Sequence, residues 1–456
     1  MSIKSLLMPI VTQHMLGRAR LLRQRERSMK ARLRSDAPRQ LHYFHQADDP
    51  YSVLAAHSLA ALQQKYALQI LPHIVSPPEQ AAAPEPDKLQ TYSRQDAHLL
   101  AQHYGFPIFP ITGFALQPSA EKTEMANRLL VAAMHMGLFI QLVDSISAAL
   151  WDTAQPLTEQ TATALGIYPT APELTASEMQ QANQLRKELG HYLGACFWYE
   201  GEWYWGIDRL YHLELRLQDE LGSNEMSNNQ SLLYPPAAEL AQPLHITQPP
   251  EIDFYFSLRS PYSAIVAERV FRLGQLAGAS IKLRYVLPMV MRGLPVPANK
   301  RRYIAMDTAR EAHVRQIPFG RLNDPVGRPT ERGLALMPLA ESLGRGQDYV
   351  LSFMRGVWAE GLDAGSDRGL RNICERAGLP WDDARLALQD DAWRKTAEAN
   401  RLAMSALGLW GVPSFSCAGT AVWGQDRLWV IADILKKMAG KDKPLSKQVE
   451  PTNHQE

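Results

Sequence analysis

Two serines, Ser260 and Ser263, lie three residues apart in the stretch SLRSPYSA (Ser257–Ala264). An apolar run, DFYF (Asp253–Phe256), precedes it, and AIVAERVFRLGQL (Ala264–Leu276) follows with apolar side chains at helical spacing. A serine at this junction has two uses. It can cap the helix by accepting a backbone N–H, with Pro261 in the first helical position where no N–H is wanted. It can also be a catalytic hydroxyl, and local sequence leaves both open.

Other residues with chemical potential are spread along the chain. LWGVPSF (Leu409–Phe415) puts Pro413 just ahead of a strand, an unusual place for proline unless Val412–Pro413 is cis. WGQDRL (Trp423–Leu428) carries Asp426 and Arg427, which read as the N-cap of the last helix and a surface residue. Lys300 adjoins Arg301 and Arg302, a pattern that suits a solvated basic face. The three cysteines, Cys196, Cys374 and Cys417, have neither CxxC nor metal-site spacing, so neither a disulfide framework nor a zinc site is expected. His42, His45, Asp48 and Asp49 also lack a ligand spacing and read as strand and cap residues; no metal is expected.

The elements that must position these residues occur twice. YFHQADDPYS (Tyr43–Ser52) corresponds to FYFSLRSPYS (Phe254–Ser263), and the interval that relates Pro50 to Pro261 also relates Tyr92 to Tyr303 and Asp96 to Asp307. LGHYLGACFWYEGEWYWGIDRL (Leu189–Leu210) aligns without gaps to LGLWGVPSFSCAGTAVWGQDRL (Leu407–Leu428). So long a period signals a duplicated domain and no solenoid. Each copy runs strand, helix, strand, a long helical stretch, a hairpin and a closing helix. That order predicts an α/β protein of two tandem thioredoxin-like domains, each with an inserted helical subdomain. The expected boundaries are a basic amphipathic extension (1–40), a degenerate first domain (41–220), a Ser/Asn/Pro-rich linker (221–250), a second domain (251–440) and a polar tail (441–456).

Composition is that of an ordinary globular protein, 46% hydrophobic and 21% charged with a net charge of +1, which gives no footing for specific nucleic-acid binding. Residues 1–40 depart from this balance, with ten Lys/Arg against Glu26 and Asp36. Met15, Leu22 and Met29 recur every seven residues, joined by Ala19 and Leu33, and predict one basic amphipathic helix that could touch anionic lipid, RNA or an acidic partner, or lie solvated on the acidic body. No apolar run reaches the length of about 20 residues that a membrane span needs. The longest, LLVAAMHMGLFIQLV (Leu129–Val143), reads as a buried helix, and a reducing cytoplasm suits the cysteine usage.

In the second half, SLRSPYSA, NKRRY (Asn299–Tyr303), LWGVPSF and WGQDRL occur in an order that resembles the DsbA-like thioredoxin superfamily. The resemblance is to the branch holding 2-hydroxychromene-2-carboxylate isomerases and kappa-class glutathione transferases. It implies glutathione as cofactor, with Ser260 donating a hydrogen bond to its thiolate at a positive helix N-terminus. It implies that Val412, before Pro413, offers backbone to the cysteinyl part, that Asp426 and Arg427 address the γ-glutamyl end, and that Lys300 holds a carboxylate. Ser260 and Ser263 occupy both cysteine positions of the redox relatives, so dithiol–disulfide exchange is disfavoured although the DsbA name covers the fold. The first copy is similar only faintly: Asp49 replaces the serine and Ala195 the proline. The expected function is glutathione-dependent isomerisation of an aromatic-derived carboxylate, a small-molecule substrate. A glutathione transferase on the same site, and a non-catalytic scaffold, are the alternatives. The repeat also allows a homodimer or an internal pseudo-dimer.

Overall fold

In the first half β1 (Arg39–His45) pairs parallel with β2 (Leu68–Ile74) and antiparallel with β3 (Cys196–Tyr199), which turns back into β4 (Glu202–Trp205). In the second half β5 (Glu251–Phe256), β6 (Ser280–Tyr285), β7 (Ser414–Cys417) and β8 (Thr420–Trp423) repeat the arrangement. The two sheets are therefore ordered β2–β1–β3–β4 and β6–β5–β7–β8. Both are thioredoxin-like, with helices inserted between the second and third strands. This computed structural model describes residues 3–107, 116–152, 154–225 and 231–441.

Local sequence explains the joints. Each hairpin closes on two residues of positive φ, Glu200–Gly201 (41° and 90°) and Ala418–Gly419 (47° and 81°), as a two-residue turn between twisted strands requires. Each half packs its own core. Tyr43, Leu54, Phe139 and Phe197 are buried in the first, and Phe254, Phe256, Val266 and Phe353 in the second. Fully burying one such side chain contributes about 1.5–3 kcal/mol.

Two expectations about the elements need correction. Leu129–Val143 is not one helix: helices Ala120–His135 and Phe139–Trp151 are separated at Gly137, whose φ of 70° a helix cannot contain. The helix Leu210–Glu225 is interrupted at Gly222, whose backbone is not helical (φ 69°, ψ 173°). The extension is two helices, α1 (Ile3–Leu16) and α2 (Arg18–Arg34), broken at Gly17, where an added Cβ would lie 2.7 Å from the Gln13 carbonyl oxygen. The heptad seam is not what docks it: Met15 and Leu22 are 48% and 41% exposed. Instead α2 is held by ion pairs, Arg25 with Glu202 (2.7 Å) and Arg32 with Glu200 and Glu220 (2.6 and 2.8 Å). α1 rests on the second half, where the Thr12 hydroxyl accepts from the Leu322 N–H at 2.9 Å. Of the polar tail, residues 442–456 lie outside the described residues.

The halves meet through a reciprocal exchange of charged and aromatic groups. Arg427 donates two 2.7 Å bonds to Asp96 and a third to Asp208, both in the first half. In return Arg209 donates to Asp307 (3.0 Å) and Asp426 (2.7 Å) of the second. Four residues before each aspartate, on the same helix face, a tyrosine crosses over. Tyr92 packs with Tyr255, Met404 and Leu409, while Tyr303 packs with Phe44 and Trp203. The pairs that the sequence relates by one interval are thus the pairs that each half lends to the other.

These ions are almost wholly buried, with side chains of Arg427 and Asp96 6% and 1% exposed. Removing one partner strands the others. Arg427→Met or Arg209→Met is expected to destabilise the chain by about 3–5 kcal/mol in urea unfolding. Adding Asp96→Asn to Arg427→Met should cost less than the two changes summed. An unfolding midpoint unmoved by either arginine substitution would show that the network contributes nothing to stability.

Candidate active site

Ser260 is the N-cap of the helix Pro261–Ala277, and its oxygen accepts the Ser263 N–H at 3.1 Å. Its proton is directed at the Val412 carbonyl over a long 3.4 Å. The serine therefore caps and still has a weakly engaged donor, so the two uses are compatible: capping takes the oxygen lone pair, and chemistry would use the proton. Ser263, fully buried, is 3.5 Å from the Ser257 N–H and serves the turn itself. The Val412–Pro413 bond is cis, and the Val412 N–H has no hydrogen-bond partner among the described residues.

Ser260, Val412 and Pro413 open into a cavity of about 500 Å³. Lys300 stands on its wall, half-buried rather than on a solvated face. Its Nζ donates to the Ala82 carbonyl at 2.7 Å and lies 6.0 and 5.9 Å from the ring centres of Tyr192 and Trp410. With no carboxylate beside it, burial lowers its pKa to about 8.

Asp426 and Arg427 also border the cavity, but as members of the buried network. Neither is the plain helix cap or surface residue that their place before a helix suggests. Burial works to raise Asp426, yet Arg209 and Arg427 outweigh it and hold it below the usual carboxylate range. Asp208 goes the other way, raised to about 6 by burial. Arg209 and Arg427 meet five carboxylates, Asp96, Asp208, Asp307, Asp426 and Glu311, of which Asp307 also pairs with Arg310 (3.1 Å) and Glu311 with Arg315 (3.2 Å).

The corresponding turn of the first half is shut. Asp49 caps its helix Pro50–Ala56 by accepting from the Tyr51 and Ser52 N–H groups, and takes the Ser52 hydroxyl at 2.8 Å. Ser52 Oγ in turn accepts from the N–H groups of Gln46 (3.1 Å) and Ala195 (2.8 Å). At Gly194 an added Cβ would lie 2.7 Å from the Gln46 side chain and 2.9 Å from Ser52 Oγ. Asp49, its pKa raised to about 7 by burial, faces protein and is not among the cavity's lining residues. Among the described residues no cluster of His, Cys, Asp and Glu suited to a metal is present. All three cysteines are buried, and burial pushes Cys374 and Cys417 up to about 12 and 11, so these thiols stay protonated.

The first half's share of the cavity was missed by residue-level reading. Tyr51, Tyr92, Tyr192 and Trp205 line it, and Tyr92 brackets the Trp423 backbone, donating to its carbonyl (3.0 Å) and accepting from its N–H (2.7 Å). The repeat singled out Tyr92 and Asp96, but a single interval cannot say that they act across the interface.

Residues 251–436 match the family model of the DSBA-like thioredoxin domain, and the C-terminal half is such a domain. Curated relatives include the 2-hydroxychromene-2-carboxylate isomerases of Pseudomonas sp. (strain C18), 25% identical over 40% of this chain and 87% of that protein, and of Pseudomonas putida, 23% identical over 43% and 98%. Among solved structures, 2-hydroxychromene-2-carboxylate isomerase aligns with a TM-score of 0.37 at 22% identity, over 42% of this chain and 97% of that one. The cytosolic disulfide reductase DsbM from Pseudomonas aeruginosa, solved with GSH, aligns at 0.34 and 16% identity, over 42% and 98%.

Lys300 yields a direct test. With its pKa lowered from 10.5 to about 8, the ammonium is present below that value and lost as pH rises through it. Pulse acylation read by peptide mass spectrometry should give a half-maximal rate near pH 8, and carboxylate binding at this wall should weaken over the same interval. A midpoint near that of an exposed lysine, about 10.4, would mean that the amine is solvated.

Proposed function

We propose that the C-terminal domain is an isomerase that uses glutathione as a recycled thiol cofactor and acts on an aromatic-derived carboxylate. The observation that carries this is Ser260: a helix-capping serine whose proton is free for an anion, set beside a cis-proline and a lone ammonium in one cavity. The names of the curated relatives support the reaction class.

The residues present suit such a cofactor. Glutathione, when bound, supplies a thiolate able to add reversibly to the substrate. The Ser260 hydroxyl turns its proton from the Val412 carbonyl to that sulfur, and the partial positive charge of a 17-residue helix favours the anion in the same place. Val412 N–H, unpaired, meets a peptide carbonyl. Lys300 neutralises a carboxylate, while Tyr192 and Trp410 beside it give an aromatic body two flat walls. Asp96, Asp208 and Asp426 border the cavity, and the γ-glutamyl ammonium would be attracted to them. Arg427 contributes by holding those carboxylates in place. The first half supplies Asp96 and Asp208, so both halves build one site. Dithiol exchange lacks its reactants, since serines occupy both cysteine positions of the turn.

Calorimetric titration of glutathione into the full chain is the test, with Ser260→Ala in parallel. Binding should persist in the variant while the ultraviolet absorbance of bound thiolate disappears. Turnover of a 2-hydroxychromene-2-carboxylate-type substrate should fall on the order of 10²–10³-fold, as for loss of one anion-hole donor. Recovery of unaltered glutathione marks isomerisation, and a thioether product marks transfer. Failure to bind millimolar glutathione would overturn the proposal and leave Ser260 a helix cap.

A further inference from the structure

The helices α1 and α2 present to solvent a surface that neither half of the molecule uses. α1 is apolar on two sides. Its inner side meets the protein, with Pro9 buried against Gly361, Thr12 bonded to Leu322, and Met8 and Thr12 forming part of the cavity wall. Its outer side carries Leu6, Leu7, Ile10 and Val11, which are 56%, 55%, 60% and 50% exposed. Their spacing places the four on one helix face.

Across the break at Gly17, the solvent side of α2 is basic. Arg20, Arg23, Arg27, Lys30 and Arg34 follow one another at alternating steps of three and four, a single face, and all are exposed. Lys30 pairs with Glu26 at 2.6 Å. Arg20, Arg23, Arg27 and Arg34 have no carboxylate partner among the described residues. The opposite side of the same helix pairs Arg25 and Arg32 with the first half, so the body fixes the helix and leaves the stripe free.

We propose that α1 and α2 form a docking surface for an anionic lipid bilayer, with the aliphatic face of α1 seated among the headgroups and the basic stripe of α2 against the phosphates. An exposed aliphatic strip adjoining unpaired cations is the pattern of an interfacial helix. A second copy of the chain fits poorly, because its five-cation stripe would repel an identical stripe. A nucleic acid also fits poorly: α1 and α2 contain no Phe, Tyr or Trp to stack on a base, and the aliphatic strip would have no role. No described helix is long and apolar enough to cross a bilayer, so contact is at the surface. Because α1 also walls the cavity, docking would set the cavity's edge at the apolar phase.

Flotation of the full chain with vesicles tests this, comparing phosphatidylcholine alone with a phosphatidylcholine–phosphatidylserine mixture. The protein should float with the anionic vesicles, stay behind with the neutral ones, and be released as salt rises. Each arginine near such a surface is worth about five-fold in partitioning. Arg20→Glu/Arg23→Glu/Arg27→Glu should therefore lower partitioning by roughly 100-fold or more, and Ile10→Asp/Val11→Asp should abolish it at low salt. Circular dichroism establishes that each variant keeps its fold, and the two variants alter separate helices, so one misfolded variant leaves the other as the test. Absence of flotation with anionic vesicles at low salt overturns the proposal, as does flotation unaffected in a folded variant. A concentration-dependent dimer that Ile10→Asp/Val11→Asp dissolves, without vesicle binding, would assign the face to a second copy instead.

Discussion

Everything near the cavity depends on two arginines buried between the halves. A guanidinium withdrawn from water is tolerable only with its charge matched and its donors directed. Arg427 meets this condition with Asp96 and Asp208, and Arg209 with Asp307 and Asp426. Each guanidinium belongs to the short turn that opens the closing helix of its own half. Each of Asp96 and Asp307 sits on the first long helix after the second strand. Satisfying the arginines therefore fixes where four elements lie, two from each half, and those elements bear Tyr92, Lys300 and the Gln425–Arg427 turn. The same aspartates also receive the hydroxyls of Tyr51 (2.8 Å) and Tyr262 (2.7 Å), which ties the two capped turns to the network.

Against that reciprocity, the two turns have diverged in a physically simple way. The two side-chain oxygens of Asp49 accept the Tyr51 and Ser52 N–H groups and the Ser52 hydroxyl. Ser52 then bonds Ala195, and the space closes. A hydroxyl at Ser260 has fewer acceptor sites and keeps a donor. The cis bond before Pro413 turns the Val412 carbonyl toward it at a distance too long for a strong bond. One turn directs its hydrogen bonds inward, and the other leaves a weakly engaged hydroxyl at the cavity.

The order of strands and helices, and the doubling of that order, were legible because turn residues and apolar periodicity are local properties. Ser260, Val412 and Pro413 could be marked for the same reason, each sitting at a junction whose backbone needs are known. Arg427 and Lys300 could not be placed. A basic residue before a helix or within NKRRY looks solvated unless the facing surface is known, and that surface is folded from residues two hundred positions away. The extension misled differently. Its heptad positions suggest an apolar seam, but carboxylates on the hairpin β3–β4 and on Glu220 won the helix through Arg25 and Arg32, which leaves the aliphatic residues outside.

This exchange also gives a reason for the first half to persist beside a turn that has closed. The hydrogen-bond acceptor of Lys300 is the Ala82 carbonyl, one of its two flanking rings is Tyr192, and the Trp423 backbone at the cavity edge is clasped by Tyr92. All three belong to the first half. Without them Lys300 would return to water and to the pKa of a free amine, and the end of β8 would lose both its bonds to Tyr92. Arg427 would meanwhile face an open surface. A lone second domain would thus retain the serine and the proline but lose the wall that keeps Lys300 half-buried. The first half thus forms one wall of the cavity.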